Sequence, residues 1–212
     1  DIENDLNSKE RMFRLIQGDV GSGKTIVSLI SALNTINSGY QVAFMVPTEI
    51  LAKQHFDFAS NFFDSNIKVE LLSGKTEYSN RQKILKDLEN NKINIIIGTH
   101  SLFQKKINYK KLGLIIIDEQ HKFGVSQRKE LSDKGGNDCD VLVMSATPIP
   151  RTMMMTIYGD MDVTLIKEKP KNRKEIKTYS KLDTKMDEVI NFAKKEIQND
   201  NQVFWVCPLI EK

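Results

Sequence analysis

The stretch GDVGSGKT, residues 18–25, decides the fold, because it places three glycines in eight residues directly after the apolar run FRLI, residues 13–16. Glycine loses more conformational freedom on ordering than any other residue, so an ordered Gly-rich segment needs a compensating interaction. Successive backbone N–H groups of such a loop can surround a phosphate chain. A helix that begins where the loop ends directs its positive dipole end toward that phosphate. The stretch therefore predicts a strand, a phosphate-binding loop and a helix.

The residue types in this loop fit the G-x-x-x-x-G-K-[ST] pattern of nucleotide sites. Lys24 is expected to reach the β- and γ-phosphates of ATP, and the Thr25 hydroxyl is expected to ligate Mg²⁺. The alternative is a Gly-rich turn that fits by chance, and the strand-like and helix-like flanks argue against it. The expected nucleotide contacts are all eight residues: Gly18, Asp19, Val20, Gly21, Ser22, Gly23, Lys24 and Thr25.

Short apolar segments alternate with helix-length segments along the chain. The runs LIIID and NIIIG are almost continuously apolar, which is typical of strands covered on both faces in a parallel sheet. This alternation predicts a doubly wound α/β fold, with a mostly parallel sheet flanked by helices. Helical spacing is seen at Ile26, Leu29, Ile30 and Leu33, and again at Met186, Val189, Ile190, Ala193 and Ile197. The predicted strands cover residues 12–17, 41–47, 68–72, 93–98, 112–118, 141–145, 163–166, 176–180 and 202–208.

Composition excludes several classes of protein. With 212 residues, 40% hydrophobic and 28% charged, the chain resembles a soluble globular protein. No apolar run approaches the ~20 residues of a membrane helix, and the start DIENDLNSKE lacks a signal core, so we expect a cytoplasmic protein. Cys139 and Cys207 stand far apart, which argues against a disulfide framework or a thiolate metal site. The net charge of +3 permits a nucleic-acid partner without requiring one.

The basic stretch KEKPKNRKEIK, residues 167–177, marks a change in composition. We interpret it as a solvated linker rather than a nucleic-acid patch. We expect one complete α/β domain over residues 1–168, a linker over 169–177, and the first strand, helix and strand of a truncated second domain over 178–212. About 40 residues are too few to build an independent core.

A second acidic site is predicted where the apolar run LIIID ends. Asp118 is expected at the carboxyl edge of the sheet, where open α/β sheets bind ligands, and there it would hold Mg²⁺. Glu119 beside it would act as the general base that polarises the attacking water. The alternative is an acidic pair that merely begins a loop.

The order of the phosphate-binding loop, DEQH at residues 118–121 and SAT at residues 145–147 resembles the motor of superfamily-two helicases. Seven further blocks are QGDVGSGKT, VPTEILAKQH, IIIGTHSLFQ, IIIDEQHKFGVSQR, MSATPIPRT, YGDMDVTLI and QVFWVCPLIEK. Together they resemble the bacterial RecG family of DNA helicases. The motor of transcription-repair coupling factors shares TPIPRT and is the alternative. At Asn172 the sequence departs from the glycine usual in RecG proteins, which affects the linker geometry.

This resemblance implies a RecA-like first motor lobe over residues 1–168. The implied activity is ATP hydrolysis coupled to unwinding or branch migration of replication forks and recombination intermediates. The implied partners are branched or forked DNA, an upstream wedge domain and a complete second motor lobe whose arginines assist hydrolysis. We expect the protein to be a monomer. The residues that the resemblance assigns to DNA contact or coupling are Thr48, Glu49, Thr99, His100, His121, Ser145, Thr147 and Arg151.

Several of these residues also have ordinary structural interpretations. Thr48 suits a helix N-cap, and Ser145 and Thr147 could satisfy loop backbone. His55 is interpreted as structural, and Trp205 as core of the second lobe. The rival functions are a P-loop kinase or GTPase, which the absent guanine-reading run and the SATPIPRT block disfavour, and a nucleotide-binding lobe that is inactive in isolation.

Overall fold

A computed structural model describes residues 1–103, 107–118, 139–147, 161–168 and 176–207 of the chain. The chain divides into two compact units, Asp1–Lys171 and Asn172–Lys212. In the described residues, no helix is long and apolar enough to cross a membrane.

The first unit is built on a parallel sheet. Its strands are β1 (Phe13–Gly18), β2 (Gln41–Met45), β3 (Val69–Leu72), β4 (Ile95–Gly98), β5 (Leu112–Asp118), β6 (Asp140–Ser145) and β7 (Asp162–Ile166). They lie in the order β3-β4-β2-β5-β6-β1-β7, and each neighbouring pair is parallel. Every residue of β2 and β4 is buried, as expected for strands covered on both faces. The doubly wound fold and the first seven predicted strands are confirmed.

Helices cover both faces of this sheet. They are α1 (Ile2–Leu6), α2 (Lys24–Asn37), α3 (Glu49–Phe62) and α4 (Tyr78–Glu89), followed by a 3₁₀ turn at His100–Phe103. Because strand side chains alternate between faces, Phe44 joins the core beneath α2 and α3, and Met45 joins the core beneath α4. The two cores together hold the strands at fixed register and so fix the carboxyl edge where the loops emerge.

The buried face of α2 differs from the predicted apolar stripe. Ile26 and Ile30 are 46% and 48% exposed, whereas the small hydroxyl residues of the helix are buried. Each hydroxyl donates to a carbonyl one turn back, so its burial leaves no donor unsatisfied. Small side chains also let the helix approach the sheet closely. These bonds are Ser28 Oγ to Thr25 O, Ser31 Oγ to Val27 O and Thr35 Oγ1 to Ser31 O.

Gln41, at the start of β2, is a buried polar group whose amide is fully used. Its Nε2 donates to Leu88 O and Ile93 O, both at 2.9 Å. Its Oε1 accepts from Lys110 N at 2.8 Å and Lys111 N at 3.1 Å. The side chain therefore ties the end of α4 and the start of β5 to β2.

We expect Gln41→Ala to lower the free energy of unfolding by about 2–4 kcal/mol, because it leaves buried carbonyl and N–H groups without partners. Gln82→Ala, on the exposed side of α4, is the matched control and should change stability by less than about 0.5 kcal/mol. Urea unfolding followed by circular dichroism measures both. Equal stabilities for the two variants would contradict the assigned role of Gln41.

The second unit contains a 3₁₀ turn at Asp183–Lys185 and a helix, α5 (Met186–Gln198), as its spacing predicted. The two strands predicted at residues 176–180 and 202–208 are wrong over the residues that the structure describes there, which are extended or irregular without ladder pairing. A strand is stable only when it pairs and packs, and Phe204 is 87% exposed. Trp205 is 51% exposed here, and its interpretation as core of a complete second lobe stays a prediction.

Candidate functional site

The carboxyl edge of the sheet brings the predicted chemistry together. Because all paired strands are parallel, the ends of β1, β5 and β6 lie at one edge. Strand β6 separates the other two, with Met144 opposite both Ile16 and Asp118. Neighbouring strands are about 4.8 Å apart, so Asp118 at the end of β5 lies about 10 Å from β1, which ends at Gly18. This spacing leaves room for a phosphate group and a cation between them.

The phosphate-binding loop has the backbone that its glycines predict. Gly21 and Gly23 have φ angles of 80° and 94°, a region that favours glycine. Gly23 precedes α2 as its N-cap, and nothing lies within 4 Å of the position that a Cβ there would take. The first N–H groups of an α-helix have no partner within the helix, so the start of α2 is suited to binding an anion.

Lys24 is already held inside the loop. Its Nζ donates to Gly18 O at 2.7 Å and to Asp19 O at 2.8 Å. These two bonds hold the ammonium against the backbone of the loop. Gly18 is also tightly packed, because a Cβ there would lie 2.6 Å from Ser22 Oγ and 3.0 Å from Ile166 Cβ.

Asp118 is paired with a residue that the sequence had suggested only as structural. His55 Nε2 lies 3.0 Å from Asp118 Oδ2, and the two side chains are 12% and 14% exposed. The His55 ring also contacts Phe44, with centroids 4.7 Å apart and planes tilted by 45°. The two residues are 63 positions apart, so no local spacing links them. The nearest available signal was that His55 lies on the helix after a strand adjacent to β5.

The SAT segment is tied to the strand that precedes the phosphate-binding loop. Ser145 is opposite Gln17 in the β1–β6 register, and Gln17 Nε2 donates to Thr147 O at 2.8 Å. Ser145 Oγ lies 3.0 Å from Thr147 Oγ1 and accepts from Thr147 N at 3.2 Å. The hydroxyls therefore satisfy the loop, as the structural interpretation predicted. Gln17 was not singled out from sequence, and it gives the segment a direct contact with β1.

The loops after β2 and β3 also contact each other. Thr48 caps α3, because its Oγ1 accepts from Leu51 N at 3.3 Å. Glu49 Oε1 accepts from Gly74 N at 2.8 Å, and a Cβ on Gly74 would lie 2.7 Å from that oxygen. Glu49 thus fixes the loop after β3, and a side chain at Gly74 would displace the Glu49 carboxylate. The sequence had not indicated this contact.

Of the remaining predicted site residues, some follow β4 and the others lie outside the residues that the structure describes. Thr99 is 8% exposed, so its side chain offers little surface to a DNA phosphate. His100 begins the 3₁₀ turn at the end of β4. The predicted general base Glu119, with His121 and Arg151, lies outside the described residues.

The donor set fits a hard cation that keeps most of its water. Thr25 and Asp118 supply oxygen, and Mg²⁺ is usually held by one or two protein oxygens together with substrate phosphates and water. In the described ranges there is no group of three or more His, Cys, Asp or Glu residues that could enclose a metal ion. Burial raises the pKa of the Cys139 thiol to about 12, so it stays protonated and is a poor metal ligand.

Comparison with known proteins agrees with this geometry. The model of the DEAD/DEAH box helicase family matches residues 3–156, which is most of the chain. The chain belongs to this family. The ATP-dependent DNA helicase RecG of Thermotoga maritima is 49% identical over 213 residues, covering 100% of this chain and 27% of the relative. RecG of Bacillus subtilis is 47% identical and is covered over 31% of its length.

A solved structure of RecG bound to a three-way DNA junction has the same fold. It superposes with a TM-score of 0.81 at 45% identity, over 99% of this chain and 28% of the solved chain. The resemblance to RecG seen in the sequence blocks is therefore confirmed. The chain spans less than a third of the length of each of these relatives.

Proposed function

We propose that the chain is the nucleotide-binding lobe of an ATP-dependent DNA helicase of the RecG type. The observation that carries this proposal is the position of the loop Gly18–Thr25 at the same sheet edge as Asp118, two strands away. A kinase or GTPase would share the loop, but the likeness to RecG over the whole chain supports the helicase.

In this proposal each part of the edge has one task. The backbone N–H groups of the loop and the start of α2 bind the β-phosphate, and the Lys24 ammonium moves from its loop carbonyls to the β- and γ-phosphates. Thr25 and Asp118 hold Mg²⁺, which when bound neutralises charge on the phosphates. Glu119 orients and deprotonates the attacking water. Together these groups position the γ-phosphoryl group for transfer to water.

DNA is proposed to lie across the loops that follow β2, β3 and β4. Backbone N–H groups and the exposed Thr48 hydroxyl there would hold phosphates without reading bases. Glu49 carries negative charge, so we assign it to fixing the loop after β3 rather than to touching DNA. That loop presents the exposed Lys75. Forked or branched DNA is the proposed substrate, because the solved RecG relative is described as bound to a three-way junction.

The larger organisation also remains a proposal. Residues 1–168 would form the first motor lobe, 169–177 the linker and 178–212 the beginning of a second lobe. His121, Ser145, Thr147 and Arg151 would couple nucleotide state to lobe movement. The bond from Gln17 to the SAT segment gives such coupling a path to the nucleotide loop. The protein would act in the cytoplasm as a monomer.

DNA binding by the 212-residue chain tests the DNA half of this proposal. We expect weak, sequence-independent binding that weakens with salt, with a log–log slope of about −2 to −3 for about three duplex phosphate contacts. Lys75→Ala should reduce the steepness of that slope by about 1. Lys92→Ala is the matched control, because Lys92 precedes β4 and so lies at the opposite edge. Fluorescence anisotropy with forked DNA at several salt concentrations measures both.

Binding that persists at high salt, or that depends on base sequence, would contradict this placement of the DNA. Equal effects of the Lys75 and Lys92 substitutions would contradict it as well, because the two edges of the sheet would then be equivalent.

A further inference from the structure

We propose that His55 is a positioning residue for Asp118 and so sets the affinity of the nucleotide site for Mg²⁺. This inference rests on the proposed function, because it concerns the task of Asp118 at that site. It goes beyond that function because it adds a residue from α3 that the proposed nucleotide site does not include.

The position of the His55 ring is fixed by a contact with Phe44 and by the close packing of α3 on the sheet. Phe44, which is fully buried, contacts the ring from β2. Ala52 and Ala59, three residues before and four after His55, are also fully buried and lie in the core beneath α3. Small residues on that face let the helix lie close to the sheet. The ring therefore reaches the end of β5 in a fixed orientation.

The bond to Asp118 has one possible direction while the carboxylate is ionised. A carboxylate only accepts hydrogen bonds, so the proton of this bond lies on His55 Nε2. Donation to Oδ2 at 3.0 Å restrains rotation of the carboxylate. Groups that orient a metal-ligating carboxylate in this way typically change metal affinity by about 10–100-fold when they are removed.

A purely structural histidine would behave differently. If His55 only filled space beneath α3, its loss would lower stability and weaken nucleotide binding equally with and without Mg²⁺. A positioning role predicts that only the part of nucleotide affinity that depends on Mg²⁺ falls. The dependence on Mg²⁺ therefore separates the two roles.

The test is calorimetric titration of the 212-residue chain with ADP, over a range of Mg²⁺ concentrations and in EDTA. His55→Leu keeps an apolar side chain against Phe44 but cannot donate a hydrogen bond. His55→Gln keeps a donor in a similar place. Asp57→Asn is the matched control, because Asp57 lies on α3 and pairs with Lys53 at the surface. Thermal unfolding of each variant reports whether it is folded.

Mg²⁺ is expected to increase the affinity for ADP, and His55→Leu should raise the Mg²⁺ concentration that gives half of this increase by about 10-fold. The affinity for ADP in EDTA should stay unchanged. His55→Gln should recover most of the loss, and Asp57→Asn should match the wild type. The Asp118→Asn variant should bind ADP with little dependence on Mg²⁺, and adding His55→Leu to it should cause no further loss. Where the leucine variant does not fold, His55→Asn, whose shorter amide stops short of Asp118, replaces it with the same expectation.

A folded His55→Leu variant with the wild-type dependence on Mg²⁺ would overturn this inference alone. Equal weakening in Mg²⁺ and in EDTA would also overturn it and make His55 structural. A wild-type chain that binds no ADP under either condition would overturn the proposed function, and this inference with it.

Discussion

Replacing Lys24 with alanine is expected to remove the part of nucleotide affinity that comes from the β- and γ-phosphates. The ammonium is held against the loop by Gly18 O and Asp19 O, and in this type of loop it is expected to reach the β- and γ-phosphates. A hydrogen bond to a charged group contributes about 1.5–3 kcal/mol, so affinity for ATP or ADP should fall by about 10- to 150-fold. Isothermal titration with each nucleotide measures the loss.

Lys86→Ala serves as the control, because Lys86 is an exposed cation on α4. It should bind nucleotide like the wild type. Unchanged affinity in a folded Lys24→Ala variant would show that the loop Gly18–Thr25 does not contact the phosphates, and the nucleotide site would have to be placed elsewhere.

The second large effect concerns turnover. The 212-residue chain is expected to hydrolyse ATP about 10³–10⁵-fold more slowly than a longer protein that includes a whole second motor lobe, which corresponds to about 4–7 kcal/mol of barrier. The physical reason is that the resemblance assigns the arginines that stabilise the transferring phosphoryl group to that second lobe. Phosphate release with and without forked DNA measures both rates.

Glu119→Gln in the longer protein should remove most of the hydrolysis, since a general base contributes about 10²–10⁴-fold. Hydrolysis by the 212-residue chain at the rate of the longer protein would contradict the need for a second lobe. A fully active Glu119→Gln variant would contradict the role of Glu119.

The first unit could be predicted from sequence because its signals are local. Continuous apolar runs such as those of β4 and β5 are typical of parallel strands buried on both faces, and GDVGSGKT needs only its own residues to define a loop. The order of strands in the sheet and the identity of the neighbours of each loop depend on the folded chain. Asp118 could therefore be assigned a task from sequence, while its partner His55 could not.

The errors have related physical causes. On α2 the spacing of apolar residues favoured Ile26 and Ile30 as buried positions. Small hydroxyl side chains that donate to their own helix can be buried there instead, because no donor is left unsatisfied. In the second unit, runs such as QVFWVCP have high strand propensity, yet propensity without a pairing strand gives no sheet. The contact of Glu49 with Gly74 joins two loops, and no spacing in the sequence reports it.

The central claim is that the carboxyl edge binds a nucleotide through its phosphates, with Mg²⁺ held beside Asp118. Calorimetric titration of the 212-residue chain with ATP, ADP and AMP, in Mg²⁺ and in EDTA, tests this claim most directly. We expect ATP and ADP to bind more tightly in Mg²⁺ than in EDTA, and AMP, which lacks the β-phosphate that the loop surrounds, to bind far more weakly. Equal affinities for AMP and ADP, or no binding of any of the three, would contradict the account.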